Sequence, residues 1–90
     1  MSASENLRED ILQLLVQALE GGDYDTDSVR RRLLSGDNFD EVGIESLDLT
    51  GFVLHIEDYF KIQVRQEDYV ELSNLEAVEA YVRNRTSVRV

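Results

Sequence analysis

The chain has no cysteine, no proline and no tryptophan, and only one histidine and one methionine. Without cysteine there is no disulfide, no thiolate ligand and no thiol nucleophile. A single histidine, His55, leaves too few donors for an ordinary metal site and makes a Ser–His device improbable. No nucleophile–base pair or metal constellation can be assembled, so the chain is not expected to be an enzyme. Bases are scarce as well: 9 Lys and Arg stand against 19 Asp and Glu, for a net charge of −10. Such a field repels nucleic acid and anionic membranes. Long apolar runs are also missing. The stretch Ile11 to Leu19 is broken by Gln13 and Gln17 and is too short to span a bilayer, so no membrane insertion is expected. Glu5, Glu9 and Asp10 occupy the region where an export signal needs positive charge, which predicts a cytoplasmic protein.

What remains is a helix-forming composition. Ninety residues, 42% of them apolar, make one domain spanning 1–90. A chain of this size buries only about 60–65% of its unfolded surface, so its core must be economical. The absence of proline and the abundance of Leu, Glu, Val and Arg favour an all-α fold. The charge is unevenly placed. Between Asp37 and Ala80 there are 12 acids and 2 bases, Lys61 and Arg65, whereas the remainder holds 7 of each sign. The acidic half therefore either solubilises the domain or steers basic partner surfaces to it. Its self-repulsion should be screened by salt, so the melting temperature is expected to rise from low to moderate ionic strength. An unchanged melting temperature would count against strong repulsion.

The stretch Phe39 to Val64 lies in that half and carries the clearest pattern. Leu49, Phe52 with Val53, Ile56 and Phe60 recur at helical spacing, which predicts a helix over Ser46–Phe60. Ser46 stands at its start. One reading makes Ser46 an N-cap, its hydroxyl accepting from a backbone N–H of the first turn. The other makes it a modified serine, exposed where the helix dipole favours a phosphate.

Elsewhere, Ser4–Glu20 reads as a first amphipathic helix through Leu7, Ile11, Leu14, Leu15, Ala18 and Leu19, with Ser4 as its cap and Gly21–Gly22 as its stop. A long connection follows from Asp23 to Asn38, in which Asp27–Ser28 could cap a short helical stretch through Val29, Leu33 and Leu34. Arg30–Arg31–Arg32 is either a solvated face balancing nearby aspartates, or a partner contact or a clamp onto the acidic half. Asp23, Asp25 and Asp27 resemble the start of a calcium loop, but Ser28 and Leu34 stand where glycine and glutamate are needed, and calcium is not expected. After Phe60, Ile62 and Val64 point into the core from an extended segment. Gln66–Glu71 can form one or two helical turns with Tyr69 inward. Ser73 with Glu76 has a capping-box spacing, and a last helix follows to about Arg85, with residues 86–90 as a frayed tail. The expected architecture is a small helical bundle of three main helices plus one short helix, with a long loop between the first two main helices.

In this register the chain resembles an acyl or peptidyl carrier protein, over nearly its whole length. The residues that carry the resemblance are Val42-Gly43-Ile44-Glu45-Ser46-Leu47-Asp48, then Ile56-Glu57-Asp58-Tyr59-Phe60, continued by Ile62, Val64, Glu67–Asp68 and Leu72 through Val82. The resemblance implies a 4′-phosphopantetheine arm, moved from coenzyme A onto Ser46 by a phosphopantetheinyl transferase. Cargo would ride as a thioester on the thiol that this chain lacks. The carrier would present that cargo to acyl- or aminoacyl-loading and processing enzymes with basic docking patches. Glu45, Asp48, Glu57 and Asp58 would face those patches, with Leu47 as an exposed apolar anchor, although Leu47 also suits simple core packing. A monomer suits such a shuttle.

Some positions depart from the fatty-acid-synthesis type: Gly51 replaces an acidic residue, His55 a small apolar one and Arg65 a common proline, and the first loop is longer. They point to a specialised free-standing member. An aminoacyl or peptidyl carrier, including the D-alanyl kind, and an unmodified acidic helical adaptor are the competing readings.

Overall fold

The computed structural model describes residues 7–87, and within them all regular structure is helical. Four α-helices of nine residues or more are α1 (Leu7–Leu19), α2 (Thr26–Leu34), α4 (Ser46–Phe60) and α5 (Leu75–Ser87); α3 (Phe39–Val42) is a single turn. A 3-10 helix, Gln66–Glu71, joins α4 to α5. The all-α bundle expected from composition is present, but the long first loop is not a loop: it holds α2 and α3. The expected cap of Ser4 on α1 falls outside the described residues. At the other end α5 continues through Ser87, so Thr86 is helical rather than part of a frayed tail.

α1 is the central element, packed against α4, α5 and α2. Neighbours on three sides demand a wide apolar arc, and so Leu12 is as completely buried as Ile11, beyond the narrow stripe expected from spacing. α4 contributes Phe52, Val53 and Ile56 and α5 contributes Leu75, Val78 and Val82 to the same core. Phe39, Ile44 and Val64 are buried from the connecting segments, as their sequence positions require. Leu34 is exposed, contrary to expectation. It lies one position beyond Leu33, which turns it about 100° away from the buried face of α2.

The ends of the helices show how local chemistry settles boundaries. α2 starts at least two positions earlier than expected because Asp25, not Asp27 or Ser28, is its N-cap, its carboxylate accepting from Ser28 N at 3.3 Å. α5 is capped by Asn74, whose Oδ1 accepts from Ala77 N at 2.8 Å. The Ser73 box is therefore displaced by one residue: the Ser73 carbonyl is occupied with Phe39 N at 2.9 Å, in the bridge that ties the start of α3 to the start of α5. α4 ends at Lys61, which adopts the left-handed conformation (φ 58°), while Glu57 reaches back to accept from Val64 N at 2.8 Å. The arginine triplet is divided. Arg30 pairs with Glu9 of α1, outside the acidic half, and Arg32 pairs with the nearby Asp37 at 2.9 Å, so two of the three balance acids within the fold.

Gly51 sits mid-way along α4 with no atom within 4 Å of where a Cβ would stand. The Gly51→Ala variant is therefore expected to gain about 0.5–1 kcal/mol, a melting-temperature rise of a few degrees. A fall in melting temperature would mean that the position needs the glycine.

Candidate functional site

Ser46 is presented by three features in succession. Gly43 ends α3 in the left-handed region (φ 93°), a conformation that a side chain would strain, and turns the chain toward α4. Ile44 then buries its side chain and anchors the turn in the core. Glu45 follows in extended conformation as the N-cap of α4. Ser46 is thus the first residue inside the helix and not its cap, which removes the capping account of this serine. Its side chain is exposed, and no hydrogen bond engages its hydroxyl among the described residues. The cap residue makes no side-chain hydrogen bond to the first turn, so the leading amides of a 15-residue helix are left to solvent or to an incoming anion.

Beside Ser46 opens a cavity of about 260 Å³, lined by Leu49, Phe52, Val53, Tyr69, Val70 and Leu72 among others. Its walls are almost wholly apolar. One wall is the core face of α4; the opposite one is the 3-10 helix, where Tyr69 turns partly inward as expected and Val70 is 84% exposed at the rim. The 3-10 helix is held to α5 through Asp68, which accepts from Tyr81 Oη at 2.7 Å and from Arg85 at 3.1 Å. Arg85 also lies over the Tyr81 ring, 4.7 Å from its centroid.

The residues expected to face partners separate into two groups. Glu45 and Asp58 are exposed, and Leu47 is 80% exposed, so core packing does not explain that leucine. Asp48 and Glu57 are half-buried and already hydrogen-bonded, Asp48 to Tyr24 Oη at 2.7 Å and Glu57 to Val64 N. His55 is exposed on α4. Among the described residues no group of three or more His, Cys, Asp or Glu side chains comes together to hold a metal ion. Of the three aspartates in the calcium-like stretch, Asp25 serves as a helix cap. No helix among the described residues is long and apolar enough to cross a membrane.

Sequence reasoning missed Tyr24. It lies in the turn after α1, yet its phenol reaches α4 on both sides of Ser46, donating to Asp48 and accepting from Glu45 N at 3.2 Å. The one available signal was an aromatic residue set alone in a polar segment, between Asp23 and Asp25.

Against known proteins, residues 24–82 match the family described as the phosphopantetheine attachment site. The matched region encloses Ser46 and every residue named above as lining the cavity. The acyl carrier protein of Phytoplasma mali (strain AT) is 30% identical over 50 residues, which cover 56% of this chain and 60% of that protein. No solved structure matches.

Proposed function

The chain belongs to the phosphopantetheine attachment family of carrier proteins, and on that premise we propose that Ser46 carries the arm and that the cargo is an acyl group. The observation that supports this most is the state of Ser46: an exposed residue whose hydroxyl has no partner among the described residues, at the first position of a helix without a side-chain cap and on the rim of an apolar cavity. These residues fit the group. The phosphodiester would lie against the free amides of the first turn, where both the unpaired N–H groups and the helix dipole favour an anion. In the attachment step Ser46 Oγ bonds to the phosphorus of the pantetheine half of coenzyme A. The phosphoanhydride bond breaks, the nucleotide half leaves with the electron pair, and the serine proton passes to a base of the transferase. Once attached, the arm supplies a thiol on which cargo rides as a thioester.

This is carriage and not catalysis. The chain's own contribution is to hold Ser46 at a rigid helix start, to screen cargo and to dock. The wall of Leu49, Phe52, Val53 and Leu72 favours acyl over aminoacyl cargo, because a charged amine would lose hydration there without finding a partner. At about 260 Å³ the cavity lies just below the size of an ordinary small-ligand pocket, which suits a short chain. The exposed acids Glu45 and Asp58, with the exposed Leu47 next to Ser46, give a partner with a basic patch both steering and one apolar contact.

Incubation with coenzyme A and a broad-range phosphopantetheinyl transferase, followed by intact mass, tests the reading. One added arm per chain is expected. No addition to a well-folded sample would leave an acidic helical adaptor as the better account. The mass of the cargo on protein isolated from its source would then separate acyl from aminoacyl or peptidyl carriage.

A further inference from the structure

Tyr24 has no part in the reading above, although it makes the tertiary contacts to the residues on either side of Ser46. Its ring lies over Gly22, where a Cβ would stand 3.2 Å from the ring. Its Oη lies 2.7 Å from Asp48 Oδ2 and 3.2 Å from Glu45 N. Glu45 immediately precedes Ser46, and Asp48 follows it by two positions. As the cap residue, Glu45 has an N–H with no acceptor inside α4, and the phenol is the acceptor that it finds. The segment that leads into α4 is short; it is also tied by Gly43 N to Phe39 O at 3.1 Å and to Asp40 O at 3.2 Å, by Ile44 N to Phe39 O at 3.2 Å, and by the buried Ile44 side chain. Five effects of differing sign act on the phenol. The bond from Glu45 N makes it easier to ionise. The bond to Asp48, partial burial and the charges of Asp48 and Glu45 make it harder, and together they prevail. Tyr24 therefore keeps its proton, and with it the bond to Asp48, throughout the neutral range.

We propose that Tyr24 is a positioning residue for arm attachment: by holding Glu45 and Asp48 it fixes the backbone from which the Ser46 hydroxyl is offered to the transferase. The inference rests on Ser46 being the attachment site. Proper orientation of a nucleophile is worth orders of magnitude in rate, and a displacement of about 1 Å can cost about a hundredfold. A hydroxyl on the first residue of a helix has no other constraint than the path of the chain into that helix. Gly43 and Ile44 set that path up to Glu45, and the phenol adds the tie at Glu45 and Asp48 themselves, from a turn 22 positions earlier in the chain. It also occupies one oxygen of Asp48, which leaves Glu45 and Asp58 as the freer acids of this face.

Tyr24→Phe keeps the ring over Gly22 and removes both hydrogen bonds. Transfer of the arm from coenzyme A by a broad-range transferase, followed by intact mass against time, is expected to show kcat lower by about tenfold with KM changed less than about twofold. Hydrogen exchange of the Glu45 amide, read by NMR in the unmodified protein, is expected to be at least about tenfold faster. Both measurements belong at a temperature where circular dichroism shows both proteins folded. An unchanged kcat, or a loss confined to KM, overturns the positioning role even where the melting temperature drops. Unchanged Glu45 exchange overturns it too, because the bond would then not hold that backbone. Should Tyr24→Phe not fold, Asp48→Ala removes the phenol's acceptor while leaving its bond from Glu45 N, and is judged on kcat alone, an unchanged kcat overturning the role. A wild-type chain that gains no arm overturns the attachment reading itself, and this inference with it. A wild-type chain that gains the arm at the same kcat as Tyr24→Phe overturns this inference alone.

Discussion

Ser46→Ala is expected to abolish arm attachment completely while leaving stability essentially unchanged. The two halves of this prediction come from different facts. Attachment is lost because the hydroxyl oxygen is the atom that bonds to phosphorus, and no neighbouring residue offers one in its place: Leu47 and Glu45 flank it, and Thr50 Oγ1 already donates to the Ser46 carbonyl at 3.0 Å. Stability is kept because Ser46 is not the cap. Loss of a serine N-cap costs about 1 kcal/mol, enough to lower the melting temperature of a domain this size by several degrees. At the first helical position alanine loses no capping bond and is the better helix former. Intact mass and a thermal melt on the same sample decide both points. One arm added to the variant would place the attachment elsewhere. A melting temperature several degrees lower would return Ser46 to a capping role.

Phe52→Ala is expected to be the most damaging single truncation, at about 3–5 kcal/mol. Phe52 is only 2% exposed and meets Phe39 edge to face, with ring centroids 5.9 Å apart and planes at 71°. Such a pair adds about 0.5–1.5 kcal/mol to the burial of its area. The same ring also forms part of the wall of the cavity beside Ser46, so its removal joins new empty space to space already present and leaves little to collapse into the gap. Set against a total stability of about 5–15 kcal/mol, this shifts the urea midpoint substantially and puts the variant near unfolding at physiological temperature. Leu54→Ala is the matching control. Leu54 is 57% exposed on the same helix and should change stability by less than about 0.5 kcal/mol. A midpoint shift for Phe52→Ala no greater than that of Leu54→Ala would mean that the core does not close around this ring.

The span of α4 was legible residue for residue. Its apolar positions repeat at helical spacing, and the period placed Phe52 and Ile56 inside; the exposure of Leu47 was implied only by the resemblance, with core packing left open. Ser46 was legible as a special position from its surroundings, but whether it caps the helix or begins it was not, because both readings satisfy the same string of residues. The difference lies in one pair of backbone angles at Glu45, and Gly43 and Ile44 set those by turning and then anchoring the chain. The caps of α2 and α5 were misplaced for the same reason. Asp25 and Asp27, or Ser73 and Asn74, are almost equivalent as sequence, and the choice depends on where the incoming chain meets the bundle. α2 itself was legible only as a short helical stretch within a long connection. Its nine residues carry only two buried positions, Val29 and Leu33, and part of what holds it comes from Glu9 on another helix.

Composition and periodicity by themselves determined the fold class, the single core, the acidic half and the serine at the head of α4, because these rest on local propensity and on a repeat that any packing must respect. The tertiary structure alone decided three things: that the Ser46 hydroxyl is unengaged among the described residues, that an apolar cavity opens beside it, and that Tyr24 grips the residues on both sides of it. Each of these is a relation between segments far apart in the chain. Such relations arise only when the helices pack, and no local pattern of residues records them.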